Sequence, residues 1–163
     1  MSVPKGKRGL SKMEFYHNAR KLREEIIKML LRDFGVRDKI RKVRTEENLE
    51  VTIIEEYPSW IITSLRDNIV RILRDLIANI TAGNTIYPTC ADELRLRRHY
   101  QDMAIVNCEQ LLQEIQFCAD ILPVKLEKFL PYADTIEFEI QLLKGWRKSG
   151  NKLMQKINQK GGK

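Results

Sequence analysis

Residues 61–80 read IITSLRDNIVRILRDLIANI, and this stretch decides the fold class. Ile61, Leu65, Ile69, Ile72, Leu76 and Ile80 recur at steps of four and three, the spacing that lines one face of an α-helix. Ile62, Val70, Leu73 and Ile77 widen that stripe, so the helix is either central or buried on two sides. Pro58 suits its first turn, where a missing N–H has no partner to lose, and Gly83 is placed to cap its end.

Working outward, the same period appears on both sides. Phe15, Ala19, Leu22, Ile26, Leu30 and Phe34 trace a helix ended by Gly35, and Ser11 with Glu14 has the spacing of a capping box at its start. Asn84 to Pro88 form a connection, and Thr89 to Asp92 offers a hydroxyl cap with an acid three residues on. Tyr100, Ala104, Cys108, Leu111, Ile115, Cys118 and Leu122 then carry a long helix to Pro123, its charged first turns projecting past the core. The last element divides at Pro131 and continues through Ala133, Ile136, Ile140 and Leu143 toward Trp146 or Arg147. The expected fold is all-α, an antiparallel up-and-down four-helix bundle with an irregular insertion between helices 1 and 2. Its domain plan is a basic arm over 1–10, the bundle over 11–148 and a mobile basic tail over 149–163. Residues 36–57 have no sustained period; a hairpin or a short extra helix fits, with basic RDKIRKVR able to pair with acidic EENLEVTIIEE.

Composition narrows the function classes. At 163 residues the chain suits one domain with its own core, and 43% apolar residues exclude wholesale disorder. No apolar run approaches the roughly 18 residues needed to cross a bilayer. MSVPKGKRGL lacks the apolar segment of a secretion signal, so the expected location is the cytoplasm. Cys90, Cys108 and Cys118 are an odd set without C-x-x-C spacing, and Cys108 and Cys118 are expected to be plain buried thiols.

Phosphate-loop, dinucleotide and hydrolase motifs are absent. Of the two histidines, only His17 has a Glu three residues before it, and that Glu14 already belongs to the capping box. The reading is therefore a non-enzyme without metal or cofactor, in which Glu109 and Glu114 belong to solvated faces.

The net charge of +7 is unevenly spread. Residues 1–12 hold four bases and no acid, residues 20–44 ten bases and four acids, and residues 144–163 seven bases and no acid, while residues 45–60 and 91–143 are each acidic by five. Blocks of one sign gather a polyanion or an acidic protein. The candidate binding residues are Arg20, Arg23, Arg41, Lys42, Arg44, Arg71, Arg74, Arg95, Arg97, Arg98, Lys144, Arg147 and Lys148.

The helix SLRDNIVRILRDLIANITAGNT (64–85), the helix RRHYQDMAIVNCEQLLQEIQFCADIL (97–122) and the closing LLKGWRKS (142–149) carry a resemblance. Over residues 11–35 and 58–150 the chain resembles the four-helix-bundle family that includes the accessory variability determinant (Avd) of diversity-generating retroelements, and is similar to small proteins encoded within ribosomal RNA intervening sequences. The resemblance implies a basic homopentamer that binds nucleic acid and a reverse transcriptase, and that supports mutagenic cDNA synthesis from template RNA without being the polymerase. The chain departs from that family in its 36–57 segment and its long basic ends. On the residues alone, the broad apolar arc of the second helix fits either a neighbouring subunit of a ring or a thick monomeric core. A protein scaffold for an acidic partner and an rRNA-associated bundle protein are the alternative functions.

Overall fold

A computed structural model describes residue 9 and residues 13–161. In chain order it contains α1 (Glu14–Leu30), β1 (Lys39–Arg44), β2 (Glu50–Glu55), α2 (Ser59–Thr85), α3 (Ala91–Ile121), α4 (Leu130–Ser149) and α5 (Asn151–Gly161). The protein is mostly helical, with four long helices around a shared core, but it is not all-α: residues 39–55 form a two-stranded antiparallel hairpin. α2 packs along α3, α3 along α4, and α1 lies against both α4 and α2. Neighbours run in opposite senses. Phe15 at the start of α1 stacks on Trp146 at the end of α4, Asn79 late in α2 meets Asn107 in α3, and Asp102 early in α3 pairs with Arg147 late in α4.

The apolar stripes become the core as their spacing requires. Leu22, Ile26, Ile69, Leu73, Leu76, Leu111, Ile136 and Leu143 are fully buried. The broad arc of α2 is absorbed within its own chain, since Ile61, Val70 and Ile77 pack against the same core.

Several ends differ from the expected ones. The N-cap of α1 is Met13 rather than Ser11, and no side chain caps it; Ser11 and most of the 1–10 arm lie outside the described residues. α1 stops at Leu30, and Phe34 reaches the core from a single 3-10 turn in which Asp33, Phe34 and Gly35 all have positive φ. Gly83 does not cap α2, which continues to Thr85. It sits inside the helix because a Cβ there would meet Trp146 Cη2 at 2.9 Å and Tyr100 Cβ at 3.3 Å. At α3 the N-cap is Cys90, and Glu93 rather than Asp92 completes the start by accepting from both the backbone N–H and the hydroxyl of Thr89 (each 2.7 Å). Those bonds hold the Glu93 carboxyl below its usual range. Pro131 lies in the first turn of α4, following a 3-10 turn over Leu126–Lys128, so the break falls where a proline costs no hydrogen bond.

The segment after Ser149, expected as a basic tail, is helical over Asn151–Gly161. Gly150 keeps right-handed helical angles (φ −69°, ψ −21°), and α5 follows, packed against α3 and α4. The hairpin forms where basic and acidic runs face each other. Asn48 takes the positive φ its turn requires (φ 61°), the Thr45 N–H donates to the Leu49 carbonyl, and Arg41–Glu55 and Lys42–Glu50 pair across the strands.

A candidate nucleic-acid interface

Antiparallel order collects the start of α1, the ends of α2 and α4, the start of α3 and all of α5 at one end of the molecule. Trp146 is the hub of this end. Its ring stacks on Phe15 (centroids 4.4 Å apart, planes 17° from parallel), presses on Gly83, and lies beneath the Arg97 guanidinium, whose Cζ is 5.8 Å from the ring centroid. An arginine over an indole face is attracted by the ring quadrupole and held in orientation. Arg97 also donates to the Ile86 carbonyl (3.4 Å), and Leu94 beside it is buried, so the first turns of α3 are docked on the body rather than projecting past it.

Six of the thirteen expected binding residues stand at this end, on α3 and α4. Arg98 Nη2 donates to Asn151 Oδ1 (3.0 Å), tying α3 to α5. Arg147 pairs with Asp102, its Nη2 donating to Oδ2 at 3.3 Å. Lys144 and Lys148 stand exposed on the outer face of α4 and, among the described residues, have no carboxylate at salt-bridge distance. Arg97 is the fifth, and Arg95, bonded to Asp92 within its own helix, is the sixth. Lys152 on α5, not among the expected residues, is exposed at the same end. No acid follows Glu139 in the sequence; among the described residues, the acids at this end include Glu14 of α1 and Asp92, Glu93 and Asp102 of α3.

The other seven are dispersed. Arg71 and Arg74 are exposed in the middle of α2, with Arg71 held by Asn68 and Asp75. Arg20 lies over the Tyr16 ring, and Arg23 is exposed further along α1. Arg41, Lys42 and Arg44 are on the hairpin at the opposite end, the first two paired with β2 carboxylates. One-letter charge counting located the bases but not these partners, which neutralise them.

Two features escaped the sequence reading. Lys21, Lys28, Arg32 and Lys128 line a groove of about 700 Å³ between α1 and α4, floored by Met29, Phe34 and Phe129. Glu139 is fully buried in the core, where Asn18 Nδ2 donates to its Oε2 (2.7 Å) while Oε1 has no hydrogen-bond partner. Burial lifts its carboxyl to about 7 against that single stabilising bond. Its position three past Ile136 and four before Leu143, on the buried stripe, was the available signal.

Cys108 and Cys118 are buried and Cys90 is exposed. Desolvation, with smaller pushes from Glu139 and Glu109, raises the Cys108 thiol far above its ordinary value; burial and then Glu114 push Cys118 up to about 12. Neither thiol is a nucleophile at neutral pH. His17 and His99 are both exposed, beside Tyr16 and Tyr100 respectively. Among the described residues no three His, Cys, Asp or Glu side chains converge as a metal site, and no helix is long and apolar enough to cross a membrane. No protein-family model, curated protein or solved structure matches this chain.

Proposed function

We propose that this protein is a non-catalytic nucleic-acid-binding subunit of the four-helix-bundle class, which holds phosphate backbones against its basic end. The observation that carries this reading is one end of the molecule that holds Arg97 over Trp146, Arg98 bonded to Asn151, and the exposed Lys144, Lys148 and Lys152 on α4 and α5, which supply no acid after Glu139. Fixed guanidinium groups and freely rotating lysines on adjoining helices suit a polyanion read by charge rather than by sequence. The resemblance of the 64–85, 97–122 and 142–149 segments to the Avd family supports the finer reading. In it the bound nucleic acid is template RNA, the partner is a diversity-generating retroelement reverse transcriptase, and the protein acts in the cytoplasm as a homo-oligomer supporting mutagenic cDNA synthesis.

Gel retardation of a single-stranded RNA tests the first level. The full-length chain is expected to retain RNA at about 50 mM salt, and the variant K144E/K148E/K152E to lose retention while keeping its helical spectrum. Wild-type protein that leaves RNA mobility unchanged at that salt sinks the reading. Co-purification with a retroelement reverse transcriptase is expected if the second level holds, and its failure removes that level.

A further inference from the structure

The hairpin is the least covered element of the molecule. Every residue of β1 and β2 is exposed, with Ile40 67% and Ile54 59% accessible, and neither strand makes more than marginal contact with a helix. A two-stranded ribbon with two open faces and two open edges is barely stable by itself in water. Strand edges are templates for further strands, and proteins otherwise blunt or cover them.

The hydrogen-bond register identifies which groups are open. Thr45 donates to Leu49, so the pairs at two-residue intervals from it, Val43 with Val51 and Arg41 with Ile53, exchange their bonds inward. The intervening pairs, Lys42 with Thr52 and Ile40 with Ile54, direct N–H and C=O groups outward on both edges. Charge then selects the complement. β1 (KIRKVR) has four bases and no acid, and β2 (EVTIIE) has two acids and no base. Like charges facing each other across strands are unfavourable and opposite ones favourable. A β1 edge therefore rejects another β1 and accepts a β2.

We infer that the hairpin is a self-association device: the β1 edge of one copy of this chain pairs antiparallel with the β2 edge of the next. Each copy uses two different edges, so the contact is head-to-tail, and the sheet grows by two strands per copy until it closes as a ring. Continued antiparallel order keeps all hairpins on one side. The basic ends, at the opposite pole of each helical body, stay free. The pairing does not depend on nucleic-acid binding, and it places self-association on the hairpin, whose strands are exposed throughout.

Two proline variants of the full-length chain test it by light scattering at micromolar concentration. Thr52→Pro removes an outward N–H from β2, and Lys42→Pro removes one from β1, at positions where an edge strand tolerates proline. Wild type is expected at a multiple of its 19.2 kDa chain mass, each variant alone at single-chain mass, and an equimolar mixture of the two as a two-chain species. A third variant, E50K/E55K, leaves every backbone donor in place and is also expected at single-chain mass. Wild type at single-chain mass overturns the inference whatever the variants do. So do variants that keep the wild-type mass, proline variants that stay single when mixed, or a Thr52→Pro chain that dimerises by itself through β1. RNA retention by the same samples is expected to be unchanged; its absence from every sample, wild type included, removes the nucleic-acid reading and leaves the hairpin inference standing.

Discussion

Trp146 and Gly83 show how one residue fixes another. The indole fills the space that a side chain on α2 would occupy, so Gly83→Ala forces a Cβ to within 2.9 Å of the ring. The expected cost is roughly 1–3 kcal/mol, and removal of the ring by Trp146→Ala costs roughly 3–5 kcal/mol, both read as a lowered urea midpoint. The sequence marked Trp146 only as a candidate end of the last stripe and assigned Gly83 to a cap. Helical periodicity gives a face, but a near approach between helices needs their crossing to be known. Glu139 makes the opposite case. Its folded carboxyl lies near 7, above the ordinary value of 4.5, so the folded state binds a proton more readily than the unfolded chain. Stability is therefore highest below the ordinary carboxyl range, falls as pH rises from there through about 7, and is lowest above. Glu139→Gln keeps an acceptor for Asn18 and removes the buried charge; it is expected to stabilise the protein by roughly 2–3 kcal/mol at pH 8 and by little at pH 5. Equal effects at both pH values would contradict this assignment.

Among the elements, α5 and the hairpin were the least legible. Residues 149–163 have few apolar side chains, and composition alone suggests a solvated tail. Leu153 and Ile157 nevertheless stand four apart, are partly buried, and lie next to the α3–α4 surface that receives the helix. A short helix of this kind is stabilised by docking rather than by propensity, which a single-sequence reading does not contain. A chain ending at Ser149 lacks Lys152, Lys156, Lys160 and Lys163 and frees Arg98 from Asn151. It is expected to keep its four long helices by circular dichroism. Its RNA affinity should weaken, with a salt slope shallower by up to about 3.6, at roughly 0.9 for each phosphate no longer neutralised. An unchanged slope would show that α5 does not touch the polyanion. In the hairpin, the opposed charge runs were visible in sequence, but strand and helix remained equal choices because no hydrophobic face imposed a period on residues 36–57.

At the scale of the whole molecule the two ends are chemically different. The exposed Lys144, Lys148 and Lys152 stand where α3, α4 and α5 meet, whereas Leu31, Trp60, Leu126, Leu130 and the apolar hairpin residues are exposed toward the other pole. This division predicts separable functions. Between 50 and 200 mM salt the RNA affinity is expected to fall about 10³- to 10⁵-fold for 6–10 phosphates neutralised, measured by fluorescence anisotropy. Charge reversal of Arg41 and Lys42 should leave that curve in place, while reversal of Lys144 and Lys148 should lower it at every salt concentration. The order of the four long helices, the identity of their buried faces and the net positive charge were determined by sequence alone, because a period of 3.6 and a count of bases are local properties of the chain. Which bases act together was decided only by the tertiary structure. Groups some 50 residues apart, such as Arg98 and Asn151 or Asp102 and Arg147, become neighbours only after antiparallel packing has set the height of each helix against the next.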